Sequence, residues 1–232
     1  MTLTALILAA GLGTRMGGVS KAQLMLEGVT VLERTVSAFD KAKNVSSIVI
    51  TAKADELDTI NSVISGMGLE KPYTVICGGS CRQQSAKLAF DTAKTLFKCD
   101  AVAVHDGARC LILPREIDLV IEGMKGYDGS VAATRVTDTL KLFENGLISQ
   151  TVDREKLIAV QTPQVFFSPV YEKALKAADG ELEKFTDDCG MCTLAGARIN
   201  PVFTGKNNIK LTTPEDIEIA RAILAKRNEN DV

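Results

Sequence analysis

Short apolar runs alternate along this chain with stretches whose apolar residues fall at helical spacing. The first run, residues 3–10, has a length that suits a buried strand. Thr30 and Glu33 form a capping box ahead of a helix with Val31, Leu32, Val36 and Phe39 on its apolar side. Residues 45–51 read as a second strand, followed by a helix bearing Leu57, Ile60, Ile64 and Met67. A third strand, residues 73–77, runs into Gly78-Gly79-Ser80-Cys81, and the next helix carries Leu88, Ala89, Ala93, Leu96 and Phe97. Residues 101–104 make a fourth strand that ends in His105-Asp106-Gly107-Ala108-Arg109. Pro114 opens a helix with Ile117, Val120, Ile121 and Met124 that Gly126 is expected to stop.

Alternation at these intervals predicts an α/β fold: a mostly parallel sheet with helices on both faces. In such sheets ligands bind outside the carboxyl ends of the strands. The polar, glycine-bearing segments after the first, third and fourth strands should therefore converge on one mouth. From residue 130 the pattern changes. Residues 130–136 form another strand. Residues 140–143 and 147–150 then flank Glu144-Asn145-Gly146, a strong hairpin signal. A two-stranded ribbon is marginal alone, so this one either lies on its own sheet or protrudes as an arm onto a second subunit. Gln161-Thr162-Pro163-Gln164 precedes a helix expected to be capped by Ser168, and Thr186 is expected to cap a shorter helix containing Asp187 and Asp188. Residues 198–203 read as a strand, and Thr213-Pro214 opens a final amphipathic helix. With no repeat, low-complexity tract or linker, residues 1–232 are read as one domain.

The loop after the first strand adds chemistry. Gly11, Gly13, Gly17 and Gly18 allow close backbone approach to a ligand, and Arg15 and Lys21 add charge to what reads as a phosphate cradle. A dinucleotide fingerprint fails because Met16 stands at its third glycine, and no Walker triplet occurs in the loop. The bland alternative is a flexible turn with two solvated cations.

A net charge of −2 on 232 residues, 46% hydrophobic and 24% charged, excludes a global field for nucleic acid or anionic membrane. An anionic ligand then needs locally clustered cations. The N-terminal apolar run is too short for a membrane span and lacks a basic n-region, so a cytoplasmic location is expected. Of six cysteines, Cys189 and Cys192 form a CxxC pair, but with His105 the single histidine, four zinc ligands are hard to assemble. The pair reads as structural.

Several segments together resemble the 2-C-methyl-D-erythritol 4-phosphate cytidylyltransferase family. They are L-A-A-G-L-G-T-R-M at 8–16, G-G-S-C-R-Q-Q-S at 78–85, V-H-D-G-A-R at 104–109 and T-D-T-L-K at 137–141. V-D-R at 152–154, Q-T-P-Q at 161–164, F-T-D-D at 185–188 and N-I-K-L-T-T-P-E-D at 208–216 complete the set, in the family's order over almost the whole chain. Two departures touch loop stiffness: Ser20-Lys21-Ala22-Gln23 replaces the family's P-K-Q, and Cys110 replaces a proline.

The resemblance implies a Rossmann-like three-layer nucleotidyltransferase fold with a dimerising β-arm over about residues 137–156. It implies CMP transfer from CTP to methylerythritol phosphate, aided by Mg²⁺, in a homodimer. Arg15 and Lys21 would act on the α-phosphate and leaving group, and Lys210 on the α-phosphate and the attacking phosphate. Ala9, Ala10, Gly11, Gly13, Gly79, Ser80, Ser85 and Gly107 would hold the nucleotide, with Arg82 bracing the loop. Asp106 would meet the metal near the triphosphate. Arg109, Thr139, Arg154, Thr186 and Lys210 would meet the second substrate, with Thr139 and Arg154 serving the partner's site and Arg154 counted among the catalytic residues. His105 is read as structural, because an anionic attacking phosphate needs no general base. The competing readings are a ribitol 5-phosphate cytidylyltransferase, an inactive nucleotide-binding homologue, and a redox role for Cys189 and Cys192.

Overall fold

The computed structural model describes residues 1–11 and 22–230. Strand β1 (Leu3–Leu8) is followed by a small hairpin of β2 (Met25–Leu26) and β3 (Val29–Thr30). Helix α1 (Val31–Lys41) starts at the expected capping box: Thr30 N donates to Glu33 Oε2 at 2.9 Å and Glu33 N to Thr30 Oγ1 at 3.1 Å. There follow β4 (Ser47–Ala52), α2 (Leu57–Ser65), β5 (Tyr73–Cys77), α3 (Arg82–Leu96) and β6 (Ala101–Asp106). The second half holds α4 (Pro114–Glu122), β7 (Gly129–Arg135), β8 (Lys141–Glu144), β9 (Leu147–Thr151) and β10 (Ile158–Phe167). Helix α5 (Ser168–Ala177), α6 (Asp188–Leu194), β11 (Ile199–Phe203) and α7 (Pro214–Asn230) complete it.

Among the described residues seven strands form one sheet, in the order β11-β7-β10-β6-β1-β4-β5. Only β10 runs antiparallel to its neighbours in that sheet. Alternation along the strands loads both faces, as the pleat requires. Leu3, Ala5 and Ile7 of β1 pack with Val36 and Phe39 of α1, Ile60 and Ile64 of α2 and Ile117 of α4. Leu6 faces the other way, toward Phe90 of α3, Tyr171 of α5 and Cys192 of α6. A third cluster, with Leu26, Val31, Leu211 and Ala220, ties α7 to the β2–β3 hairpin. The result is the expected three layers.

Local differences from the sequence reading have physical causes. The sequence reading assigns no element to the stretch around Gln161-Thr162-Pro163-Gln164, yet residues 158–167 are strand, because both β6 and β7 pair with them. Strand β6 extends through Asp106. Helix α4 stops at the earlier glycine, Gly123, and Gly126 sits in the following turn at φ 84°. Ser168 is the first residue of α5 rather than its cap; its hydroxyl donates to the Cys99 carbonyl at 2.7 Å. Asp187, not Thr186, caps α6, accepting from Gly190 N at 2.9 Å.

Candidate active site

The chain runs outward from β1 to β4 and β5, then returns to β1's other side as β6. That reversal opens a crevice at the carboxyl ends of β1 and β6, where α/β sheets bind ligands. Leu8 and Asp106 are register partners at its floor. Gly107 N donates to Leu8 O at 2.9 Å, and a Cβ on Gly107 would lie 3.0 Å from that oxygen and 3.2 Å from Ala9 Cβ. From the other side Gly78 N donates to Ala52 O at 2.8 Å, and a Cβ there would sit 2.3 Å from Ala10 Cβ. Three glycine-bearing segments thus meet at distances that leave no room for added side chains. Gly11 continues from this floor as an exposed residue, whereas Gly13, Arg15 and Lys21 lie outside the described residues.

The loop into α3 is braced internally. Ser85 Oγ accepts from Gly79 N and donates to Cys81 O, both at 3.0 Å. Gln84 Oε1 accepts from Ser80 N at 2.6 Å and from Ser80 Oγ at 2.8 Å. Gly79 has no room for a side chain, since its Cβ would fall 2.5 Å from Gln84 Cγ. Ser85 is therefore buried and committed to holding the loop's shape, a task shared with Gln84, to which the sequence reading assigns no role although it lies in the 78–85 motif.

Asp106 is the electrostatic centre. Its Oδ1 accepts from Arg82 Nε at 2.9 Å, its Oδ2 pairs with Lys210 Nζ at 2.8 Å, and Arg109 Nε stands 3.7 Å from Oδ2. Burial opposes its charge, but Arg82 and Lys210 outweigh burial and hold the carboxyl well below the usual carboxylate range. Behind it, Arg82 Nη1 meets Asp188 Oδ2 at 2.6 Å, and Tyr171 OH donates to Asp188 Oδ1 at 2.6 Å. Asp188 and Tyr171 are fully buried.

A second layer fixes the strand end. Asp106 N donates to Thr162 Oγ1 at 3.1 Å, and Thr162 pairs with His105 Nδ1 at 3.1 Å. His105 Nε2 lies 3.2 Å from the Arg109 carbonyl, which can only accept, so the proton sits on Nε2 and Nδ1 accepts from Thr162. Burial pushes the His105 imidazole down to about 3. It is neutral and structural, as its chemistry suggested. Asn208 donates to Thr162 O at 2.8 Å and accepts Arg109 Nη1 on its own carbonyl at 2.8 Å, tying the Lys210 segment to the Arg109 turn.

Asp106, Gly107, Arg109 and Lys210 are thus brought together at the mouth where Ala9, Ala10, Gly79 and Ser80 converge. Thr139, Arg154 and Thr186 do not join the Asp106 cluster; all three are exposed. Arg154 donates to Thr137 O at 2.9 Å and stands 4.0 Å from Glu155, contacts within the arm. Thr186 precedes Asp187, whose Oδ2 takes Gln164 Nε2 at 2.9 Å. Sequence reasoning missed Tyr171, Asp188 and Thr162 as supports, although T-D-D and Q-T-P-Q were visible as motifs. Cys189 and Cys192 are free thiols on α6, both pushed up by burial. Among the described residues no group of three or more His, Cys, Asp or Glu could hold a metal ion.

The β8–β9 ribbon carries Phe143 and Ile148, 75% and 69% exposed, beside each other across the strands. Asn145 at φ 52° and Gly146 at φ 81° make the tight turn. No helix among the described residues is long and apolar enough to cross a membrane.

Comparison with known proteins meets this geometry. The family model IspD, 2-C-methyl-D-erythritol 4-phosphate cytidylyltransferase, matches residues 3–226. A relative of that name from Chlorobium phaeovibrioides is 37% identical over 235 residues, covering 96% of this chain and 97% of its own. Another from Chlorobium phaeobacteroides is 37% identical over 239 residues, covering 97% and 95%. The crystal structure of the 4-diphosphocytidyl-2C-methyl-D-erythritol synthase of Anaerococcus prevotii is similar with a TM-score of 0.83 at 25% identity, covering 96% of each chain. Ordered motifs, fold and near-complete coverage agree, and the chain belongs to the 2-C-methyl-D-erythritol 4-phosphate cytidylyltransferase family.

Proposed function

We propose that this chain transfers CMP from CTP to 2-C-methyl-D-erythritol 4-phosphate, a step of non-mevalonate isoprenoid synthesis. The observation that carries this is the cluster of Lys210, Arg109 and Arg82 around Asp106, at the crevice between β1 and β6, in a chain of this family. A phosphate oxygen of the polyol substrate attacks the α-phosphorus of CTP. The bond from that phosphorus to the bridging oxygen breaks, and pyrophosphate leaves with the electron pair. Such transfers need positioning and charge neutralisation more than covalent help.

Lys210 is 40% exposed, so its ammonium can leave Asp106 for the α-phosphate as CTP arrives. Arg109 would take the polyol phosphate, and neutral His105 takes no proton. Arg15 and Lys21 would neutralise the triphosphate from the glycine loop, while Ala9, Ala10, Gly79 and Ser80 offer backbone and small side chains to the cytidine. One carboxylate fits Mg²⁺, which keeps several waters and takes phosphate oxygens for the rest. Asp106 Oδ2 is the oxygen that would hold it, and the ion supplies charge neutralisation on the triphosphate. We assign a homodimer in which the exposed arm carries Thr139 and Arg154 to the partner's site, and a cytoplasmic location.

The test is pyrophosphate release with CTP and Mg²⁺ on methylerythritol phosphate and, separately, on ribitol 5-phosphate. Release with the first is expected. Release only with the second would move the chain to the sister activity, and CTP binding without release on either would make it an inactive homologue. Arg154→Ala should raise KM for the sugar phosphate about tenfold or more, the loss of a bidentate phosphate fork, with KM for CTP little changed. Equal effects on both would remove Arg154 from that role.

A further inference from the structure

Arg82 is a guanidinium between two carboxylates. One, Asp106, faces the crevice; the other, Asp188, is fully buried and has no path to a ligand. Both oxygens of Asp188 are used, one by Arg82 Nη1 and one by Tyr171 OH, each at 2.6 Å. Tyr171 is itself locked, edge-on to Phe90 at 5.1 Å and stacked on Phe166 at 5.6 Å between ring centres. The chain of contacts thus runs from a packed aromatic cluster through Asp188 and Arg82 to a single atom, Asp106 Oδ1.

This leaves the two oxygens of Asp106 unequal. Oδ1 is held from inside the fold, and Oδ2 carries the half-exposed Lys210. Only Oδ2 can change partners when a triphosphate enters. A buried carboxylate such as Asp188 is costly unless paired and hydrogen-bonded, and this one meets both needs with one oxygen on Arg82, a residue that aims the crevice, and the other on Tyr171.

We propose that Asp188 and Tyr171 are positioning residues for nucleotidyl transfer, acting through Arg82 to fix Asp106 so that only Oδ2 releases its partner, Lys210, to the substrate. This rests on the cytidylyl-transfer reading. Charge makes the role separable from mere stability. Arg82, Arg109 and Lys210 against Asp106 and Asp188 leave a single net positive charge in the cluster. Asp188→Asn doubles it, which favours an anionic nucleotide while loosening the aim of Asp106. Tyr171→Phe keeps shape and charge and removes only the hydroxyl.

The experiment measures CTP affinity by titration calorimetry, turnover with methylerythritol phosphate, and thermal unfolding, on the native chain and both variants. Tyr171→Phe is expected to lower kcat about tenfold, the scale of one hydrogen bond to a charged group, with CTP affinity unchanged. Asp188→Asn is expected to lower kcat about tenfold or more while tightening CTP binding roughly threefold to tenfold. A destabilised but otherwise normal site cannot produce that opposed pair. Variants that match the native chain in kcat and affinity overturn the proposal, as does a fall in kcat that only follows the loss of folded protein. A native chain that binds no CTP overturns the cytidylyl-transfer reading, and the proposal with it; a native chain that binds and turns over while the variants match it overturns the proposal alone.

Discussion

At the scale of single residues, two neighbours of the crevice make sharp predictions. Gly78 approaches Ala10 so closely that an added methyl would overlap it at 2.3 Å. Gly78→Ala must push apart the loops that follow β1 and β5, and we expect CTP affinity to fall at least tenfold, read by calorimetry. Native affinity in that variant would mean that the loop gives way freely. His105 gives a pH signature. Its imidazole is neutral in the fold, pushed down to about 3 by burial against the opposing pull of Asp106, with Arg109 and Arg82 also disfavouring its charge and Phe39 packed on its ring. Unfolded, it titrates near 6.5. Because the folded value is the lower one, the unfolded chain binds more protons below pH 6.5, and stability falls from there toward pH 3. Between pH 7.5 and 5 the loss attributable to His105 is about 2 kcal/mol. Urea unfolding at pH 7.5 and 5.0 should show it, and His105→Gln should flatten it; an unchanged slope in the variant would remove His105 as its source. Asp106, ionised in both states across that window, adds little.

Asp106, Arg109 and Lys210 were legible from their motifs, since each follows a strand or turn that topology sends to one mouth. Arg82 reads as a brace of its loop, but its bridging of Asp106 and Asp188, and the part of Tyr171 and Asp188 behind it, were not legible. Their contacts join positions up to 106 residues apart, and no local pattern encodes which buried carboxylate an arginine will find.

At the scale of elements, periodicity carried the reading furthest. Capping residues, Asn-Gly and alternating runs located α1, β5 and the β8–β9 hairpin nearly to the residue, because their determinants are local. Strand β10 escaped because its pairing is supplied by β6 and β7, across a polar, proline-bearing stretch with no strand pattern of its own. The arm makes the strongest claim at this scale. Phe143 and Ile148 are cross-strand partners with almost nothing on them, and exposed paired apolar side chains mark an association surface. Phe143→Glu with Ile148→Glu should give a species of 24.8 kDa in sedimentation velocity. The circular dichroism should be unchanged, since the ribbon lies outside the three core clusters. A variant that sediments at twice that mass would place the dimer contact elsewhere.

At the scale of the whole molecule, the two sheet faces and the crevice follow from one topological fact, the chain's reversal at β1. The antiparallel strand has a separate consequence, for how the chain is made. Successive sheet strands β6 and β7 are not neighbours; they stand one strand apart, and β10 fills the slot between them. A polypeptide emerging from the ribosome completes β7 well before residues 158–167 exist. Until then both inner edges present unpaired backbone N–H and C=O groups, the kind of edge that recruits foreign strands. An interior slot of the sheet therefore stays open until β10 is made, and only the rim strand β11 joins after it. The vulnerable interval in this protein's biogenesis spans the synthesis of the arm, and an elongation pause there would prolong it.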